Sequence, residues 1–579
     1  MSQSGGQLTA ARQRIRGAIT VVVVFSFFIN LLMFATPIYM LQVYDRVLSS
    51  QNVTTLAMLT LMAVGALIVF GLLELLRSRV LVRTGLRLDG LLAGSVFQSA
   101  FQRTIRDQKP GHGQALRDLD TVREFITGAG LIALCDAPWV PLFIGLIFLF
   151  HPVLGLVATV AAVTIFALAA ANEISTRPPL RAASGVSNRA NTFVETALRN
   201  AETAAPMGML PNLESRWQTV HDDVLDKQAT ASDRAGLVLS TSKAVRMIFQ
   251  VAILGAGGYL VLQEQTTPGA MIAASIVMGR ALAPVEQAVG QWRNFVNART
   301  AYGRLDQTLQ ASDKPEGTSL PAPSGRLTSE RAVVVPPGGQ YPVVKAVSFE
   351  VAPGELFGII GPSGAGKSTL ARALLGVWPT ASGAIRLDGA NVWEWDSREL
   401  GPYIGYLPQD IELFDGTVAE NIARFGKVDD EQVVMAAQLA GGHEMILRLR
   451  DGYDTQVGPN GQSLSGGQKR AVALARALYG DVRLVVLDEP NANADHEGEQ
   501  HVLSALDRLK SRGITTIVIT HRVPLLKSAD RILSLRDGAV AALDTRERIM
   551  RQFVEPVKGE GQDANARRQP TQGSQGSQG

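Results

Sequence analysis

Apolar runs of about twenty residues recur along the first half of this chain and give way, after residue 310, to short mixed segments. A helix of that length crosses roughly 30 Å of hydrocarbon. Clear runs cover Ala18–Met40, Leu56–Leu76, Leu131–Leu149, Leu154–Ala171 and Val245–Leu262. A sixth, Met271–Val289, is interrupted by Arg280 and Glu286, yet its Ala- and Gly-rich composition suits a helix packed inside a bundle. The expectation is an all-α domain with six spans over residues 18–310, preceded by an N-terminal segment, 1–17.

The chain has 579 residues, more than one compact core accommodates, so unlike halves are expected. Its hydrophobic content of 46% lies between that of soluble and of membrane proteins, as a fusion of the two would give. The net charge of +3 is small and the basic residues are spread, which gives no support for nucleic-acid binding. One cysteine, Cys135, excludes an internal disulfide, and its apolar neighbours read as a packing environment. The first run follows Arg12, Arg14 and Arg16, but it is too long for a signal-peptide core and lacks a cleavage site, so it stays as an anchor. Arginines then set the topology. Arg77, Arg79, Arg83, Arg87, Arg103 and Arg106 follow the second run, and Arg177, Arg181, Arg189, Arg199 and Arg216 follow the fourth. Those stretches should be cytoplasmic loops. The connections near Arg46, His151–Pro152 and Gln263–Gly269 are poor in Lys and Arg and should face outward, which leaves both termini in the cytoplasm.

Segment 311–325, with Pro315, Gly317, Pro321, Pro323 and Gly325, reads as a linker. Residues 326–557 then alternate short β-rich and helical runs, the pattern of an α/β domain, and 558–579 is a Gln/Gly/Ser-rich tail expected to be disordered. Within the α/β domain the apolar run Leu356–Ile360 leads into Gly361, Pro362, Ser363, Gly364, Ala365, Gly366, Lys367 and Ser368, then into a helix-like stretch from Thr369. This spacing is that of a phosphate-binding loop. Its glycines let backbone N–H groups converge on phosphate oxygens, the helix end adds positive potential, Lys367 adds a point charge and Ser368 a ligand for Mg²⁺. A second strand, Val482–Leu487, ends in Asp488 and Glu489. Beside a phosphate loop, Asp488 is the expected Mg²⁺ ligand and Glu489 the group that polarises the attacking water.

The segment Leu464–Gln468 reads LSGGQ, and with it the chain resembles the ABC ATPases, so Ser465, Gly466, Gly467 and Gln468 join the nucleotide-binding set. The resemblance implies more. Gln409, in YLPQD, matches the glutamine that senses Mg²⁺ and the membrane domain, and His521, after Thr515–Thr520, matches the histidine at the γ-phosphate. Asn491–Asp495 holds the place of the family's D-loop, with Ala494 where a Leu is usual. Tyr341 is the local candidate for stacking on adenine; packing within the domain is the alternative. Because the family closes ATP between the phosphate loop of one domain and the LSGGQ of another, and this chain carries one of each, a homodimer follows.

In the membrane half, IYMLQVYDRVLSSQNVTTL from Ile38, CDAPWVPLF from Cys135 and IAASIVMGRALAPVEQ from Ile272 look like type I protein-secretion exporters of the PrtD-like branch. That likeness implies a bacterial inner-membrane protein: a type I ABC exporter-like six-helix transmembrane domain fused to an α/β P-loop ABC ATPase domain. It also implies ATP and Mg²⁺ as cofactors. The implied partners are a membrane-fusion adaptor, an outer-membrane channel and an unfolded polypeptide cargo with a C-terminal signal. With only residues 1–17 before the first run, no leader-cleaving domain is expected. The competing accounts are a lipid or drug exporter of the same layout and a membrane-anchored regulatory ATPase that moves nothing. Asp136, Arg280 and Glu286 are costly in lipid and should face protein or water; for Arg280 a polar path and an ion pair are equally open. The stretches 118–125 and 195–217 are expected to dock on the ATPase.

Overall fold

The computed structural model describes residues 4–106, 113–310, 320–492 and 496–554. The chain forms two compact units, Met1–Asp313 and Lys314–Gly579. The expected tail, 558–579, and most of the expected linker, 311–319, lie outside the described residues. Ser324 and the backbone amides of Gly325 and Arg326 are fastened to the Asp388 carboxylate, so these residues are part of the second unit.

The first unit is helical. Helices α1 (Ser4–Leu32) and α2 (Ala35–Gln42) share the first apolar run, broken at Met33–Phe34. Pro37 has no N–H for the Met33 carbonyl four residues back, which accounts for the break. A π-helical turn, Val43–Val47, ends this element. There follow α3 (Val53–Arg106), α4 (Gln114–Thr127), α5 (Ala129–Asp136) and, after a 3-10 turn containing Pro138, α6 (Val140–Phe150). The unit closes with α7 (Pro152–Arg199), α8 (Leu210–Leu262), α9 (Pro268–Gly290) and α10 (Trp292–Gln310).

Among the described residues six helical stretches are long and apolar enough to cross a membrane. The sixth, α9, has 56% of its most apolar window buried, against 0% in α3. Ala270, Ala273, Ala274 and Ala281 are buried and Glu286 is half-buried, so much of this helix packs against protein, which fits its being the weakest run in the sequence. The arginine-bearing stretches are not loops. With 54, 48 and 53 residues, α3, α7 and α8 are roughly 70–80 Å long, more than twice the hydrocarbon thickness, so the spans continue as helices far beyond their apolar runs.

Of the three charges expected to be costly in lipid, Asp136 and Glu286 are partnered and Arg280 is not. Arg77, counted above among the solvated loop arginines, is only 2% exposed. Its guanidinium donates to Asp136 at 2.8 Å, to Ser26 at 2.9 Å and to Glu74 at 2.6 Å, and Asn30 donates to Asp136 at 3.1 Å. Asp136 is thus a structural ion-pair partner. Glu286 pairs with Arg246 at 2.9 Å, whereas Arg280 is exposed on α9 and forms no ion pair with any described residue. Cys135 is a buried free thiol beside Val22 and Leu81. On α4, Asp118 is buried against Arg304 of α10 (2.6 and 2.8 Å), and Val122 is buried too. One face of 118–125 thus belongs to the interior of the helical unit, while Asp120 and Glu124 are exposed, as are Leu198, Met207 and Leu210 of 195–217. Near the π-turn, Asp45 accepts from the Thr267 hydroxyl at 2.5 Å and the Gly269 amide at 2.9 Å, tying the first apolar element to the start of α9.

Among the described residues the second unit has ten strands in two sheets. Strands β1 (Leu327–Val334), β2 (Val344–Val351), β4 (Ser382–Leu387) and β5 (Ala390–Asn391) form an antiparallel sheet in the order β2-β1-β4-β5. The other sheet takes β3 (Leu356–Ile360), β6 (Ile404–Leu407), β7 (Leu484–Asp488), β8 (Thr515–Ile519), β9 (Arg531–Arg536) and β10 (Ala539–Thr545), in the order β10-β9-β3-β8-β7-β6. All its pairings are parallel except that of β10 with β9. Every residue of β3, β7 and β8 is buried, as expected of parallel strands covered on both faces.

Candidate functional site

Register builds the site. Ile359 lies opposite Ile519, Ile519 opposite Asp488, and Leu487 opposite Leu407, so β3, β8, β7 and β6 end together at one edge. The loops leaving that edge begin with Gly361, Thr520, Glu489 and Pro408. Ligands of open parallel sheets bind outside such carboxyl ends, and the four sequence motifs of this region all open there.

Gly361–Ser368 turns from β3 into a helix that starts at Lys367. Gly366 has φ +93° and the carbonyl of Val343 lies 3.0 Å from where a Cβ would stand, so both conformation and space require glycine. Pro362, Ser363 and Gly364 are exposed, Ala365 and Gly366 buried, and Ser368 and Thr369 half-buried. Lys367 is 8% exposed; its ammonium reaches back over the loop to the carbonyls of Gly361 (2.8 Å) and Pro362 (3.0 Å).

Asp488 is 2% exposed and lies beside the Ser368 side chain. Burial pushes its carboxyl above the usual range and the Glu489 charge pushes the same way, while Ser368, Arg372 and Lys367 pull it back. Its Oδ1 has no protein partner. A buried carboxylate oxygen left open beside a serine hydroxyl is a donor set suited to a hard divalent cation such as Mg²⁺.

Glu489 has a φ of +50°, an uncommon conformation for a side-chain-bearing residue, held by its amide donating to Ile519 at 2.9 Å. Gln409 Nε2 donates to its Oε2 at 3.2 Å and His521 Nδ1 stands 3.5 Å from its Oε1. The three residues expected to be catalytic, from three different loops, therefore meet at one carboxylate.

Ser465–Gln468 opens a separate helix, Gly466–Ala477, through a capping box. The Ser465 hydroxyl accepts from the Gln468 amide at 3.3 Å and the Gln468 side chain accepts from the Ser465 amide at 2.8 Å. A side chain built on Gly466 or Gly467 would meet nothing within 4 Å, so this turn is open surface. Among the described residues no hydrogen bond or ion pair joins it to Gly361–Thr369. Tyr341 is 80% exposed, two residues before the Val343 carbonyl that abuts Gly366. Of Asn491–Asp495 only Asn491 and Ala492 are described; 493–495 lie outside.

Sequence reasoning passed over Arg470. One turn into the LSGGQ helix, its guanidinium donates to the carbonyls of Pro490, at 3.3 Å, and of Ala492. It thereby joins the signature helix to the segment that follows Glu489. The only signal was a basic residue two positions after the motif, which by itself reads as helix surface.

A family model described as "ABC transporter" matches residues 344–492, and one described as "ABC transporter transmembrane region" matches 19–282. The type I secretion system ATP-binding protein PrsD of Rhizobium meliloti is 43% identical over 558 residues, covering 96% of each chain. The cyclolysin secretion/processing ATP-binding protein CyaB of Bordetella pertussis is 28% identical, covering 91% of this chain and 75% of its own. The leukotoxin translocation ATP-binding protein LktB of Mannheimia haemolytica is also 28% identical, over 89% and 74%. Among solved structures, a bacterial Atm1-family ABC exporter with ATP bound matches with a TM-score of 0.80 at 23% identity, covering 93% of this chain and 96% of that one, a likeness of fold.

Proposed function

The chain belongs to the type I secretion branch of the ABC transporters, and from that membership we propose that two copies bind ATP with Mg²⁺ and couple its hydrolysis to export of a polypeptide across the bacterial inner membrane. The observation that supports the chemistry best is the meeting of Gln409 and His521 on the Glu489 carboxylate, at the same sheet edge as the phosphate loop. The relatives named for secretion favour a polypeptide cargo over a lipid or drug, and over a regulatory ATPase without transport.

In this reading the amides of Gly361–Ser368 and Thr369 cradle the phosphates, and Lys367 moves from its own loop carbonyls to phosphate oxygens. Ser368, Asp488 and Gln409 hold Mg²⁺, which when bound neutralises charge on the phosphates. Glu489 orients and polarises the attacking water while Gln409 and His521 fix its carboxylate. Tyr341, standing free ahead of the loop, stacks on adenine. Ser465, Gly466, Gly467 and Gln468 of a second copy close the site from the other side, consistent with their open position here. The arginine-rich extensions of α3 and α7 support a cytoplasmic position for the ATPase and both termini. A membrane-fusion adaptor and an outer-membrane channel complete the route, and the cargo enters unfolded, led by a C-terminal signal.

The test is a comparison of culture supernatants from cells whose own copy is deleted and replaced either by the wild-type chain or by Lys367→Ala. At least one protein is expected in the first supernatant and not in the second. Identical protein profiles, with both chains equally abundant in the membrane, would remove the export reading.

A further inference from the structure

The helical unit contains a cavity of about 320 Å³ between the N-terminal end of α1, the second half of α3, α4 and α10. Leu8, Ile15, Leu92, Leu119, Val122 and Leu305 supply most of its wall, each more than nine-tenths buried. Water gains nothing from such a surface, and apolar cavities of this kind stay dry unless an apolar ligand enters. The polar groups in the wall are Arg12 and Tyr302. Arg12 forms no ion pair with any described residue. Burial pushes the Tyr302 hydroxyl up, the nearby Arg12 charge opposes and the Asp306 charge adds to burial, so at neutral pH the phenol remains a hydrogen-bond donor with a cation on one side. Concave, mostly apolar sites with a few convergent polar groups are the usual form of small-molecule pockets, and roughly 300–1,000 Å³ is their usual size.

We propose that this cavity binds a single-chain anionic amphiphile, a fatty acid or a lysophospholipid, with the aliphatic chain among the leucines and the acidic head on Arg12 and Tyr302. Three observations select that class. The cavity is at the small end of the range, enough for one chain and not two. A polypeptide segment would bring a backbone amide with every residue, and this wall could not satisfy them. Arg12, exposed at the edge of the cavity and without an ion pair to any described residue, presents a cation that an acidic head would neutralise. The inference does not depend on what the transporter exports.

The experiment uses the full-length protein purified in a neutral detergent and a fluorescent polyene fatty acid as probe. One saturable site per chain is expected, with displacement by palmitate or by lysophosphatidylglycerol; which of the two displaces more tightly identifies the natural source. Val122→Trp, which fills the cavity, should abolish the site. Arg12→Glu should weaken the probe at least about tenfold, a loss of about 1.4 kcal/mol, and turn hexadecyltrimethylammonium into the better competitor. Since Arg12 is remote from the nucleotide motifs in sequence and exposed, unchanged ATPase activity in Arg12→Glu certifies its fold even if the tryptophan variant fails to fold. Absence of saturable binding to the wild type, displacement by neither amphiphile, or equal probe affinity in Arg12→Glu and wild type would overturn the proposal.

Discussion

Asp488 shows how burial and chemistry oppose each other at one residue. Its carboxyl is raised above the usual range by burial first, with the Glu489 charge acting in the same direction, and a proton there competes directly with the cation proposed for it. The sign follows: Mg²⁺-dependent ATP affinity is full where Asp488 is ionised and falls as pH drops towards its raised titration. Titrating ATP affinity at several pH values in Mg²⁺ should show this loss at a higher pH than an ordinary carboxylate gives, and Asp488→Asn should bind weakly with no such dependence. Arg470 carries a different expectation. It holds the Pro490 and Ala492 carbonyls just beyond Glu489, so Arg470→Ala should leave ATP affinity nearly unchanged and lower turnover about tenfold or more, since small misplacements of a catalytic group are costly. A large loss of ATP affinity with turnover per bound ATP preserved would contradict a positioning role.

Elements differ in how openly the sequence announces them. The phosphate loop and the acidic strand end were legible because their chemistry demands fixed spacing after a buried strand, and β3 and β7 are buried throughout. The apolar runs located the spans, including α9, but not their lengths: helices of 54, 48 and 53 residues pass from lipid to water without a stop signal, because both environments accept an amphipathic or polar helix. Arg77 was misread for a related reason. A charge at the end of an apolar run looks like a solvated anchor, and only the fold brings Asp136 and Ser26 to it from other helices. The same pair supplies a test of what binds α1, α3 and α5 together. Removing one partner of a buried ion pair costs about 3–5 kcal/mol, while removing both costs less because no uncompensated charge remains. Arg77→Ala should therefore lower the thermal unfolding temperature of the detergent-solubilised protein markedly, and Arg77→Ala/Asp136→Ala should recover part of the loss. Additive losses in the double variant would show that the pair contributes nothing as a pair.

For the molecule as a whole, one phosphate loop and one signature turn per chain, each presented on its own helix, are what the proposed pairing of two copies would bring together. Membership of the secretion branch then gives that chemistry its purpose, movement of polypeptide through a six-span membrane unit. All of it depends on Glu489 being the group that turns ATP over. The most direct measurement is ATP binding and hydrolysis by purified, lipid-reconstituted Glu489→Gln. The variant is expected to retain ATP with Mg²⁺, one molecule per chain, and to hydrolyse it at least about a hundredfold more slowly than the wild type. Hydrolysis at the wild-type rate would contradict the assignment and the coupling built on it.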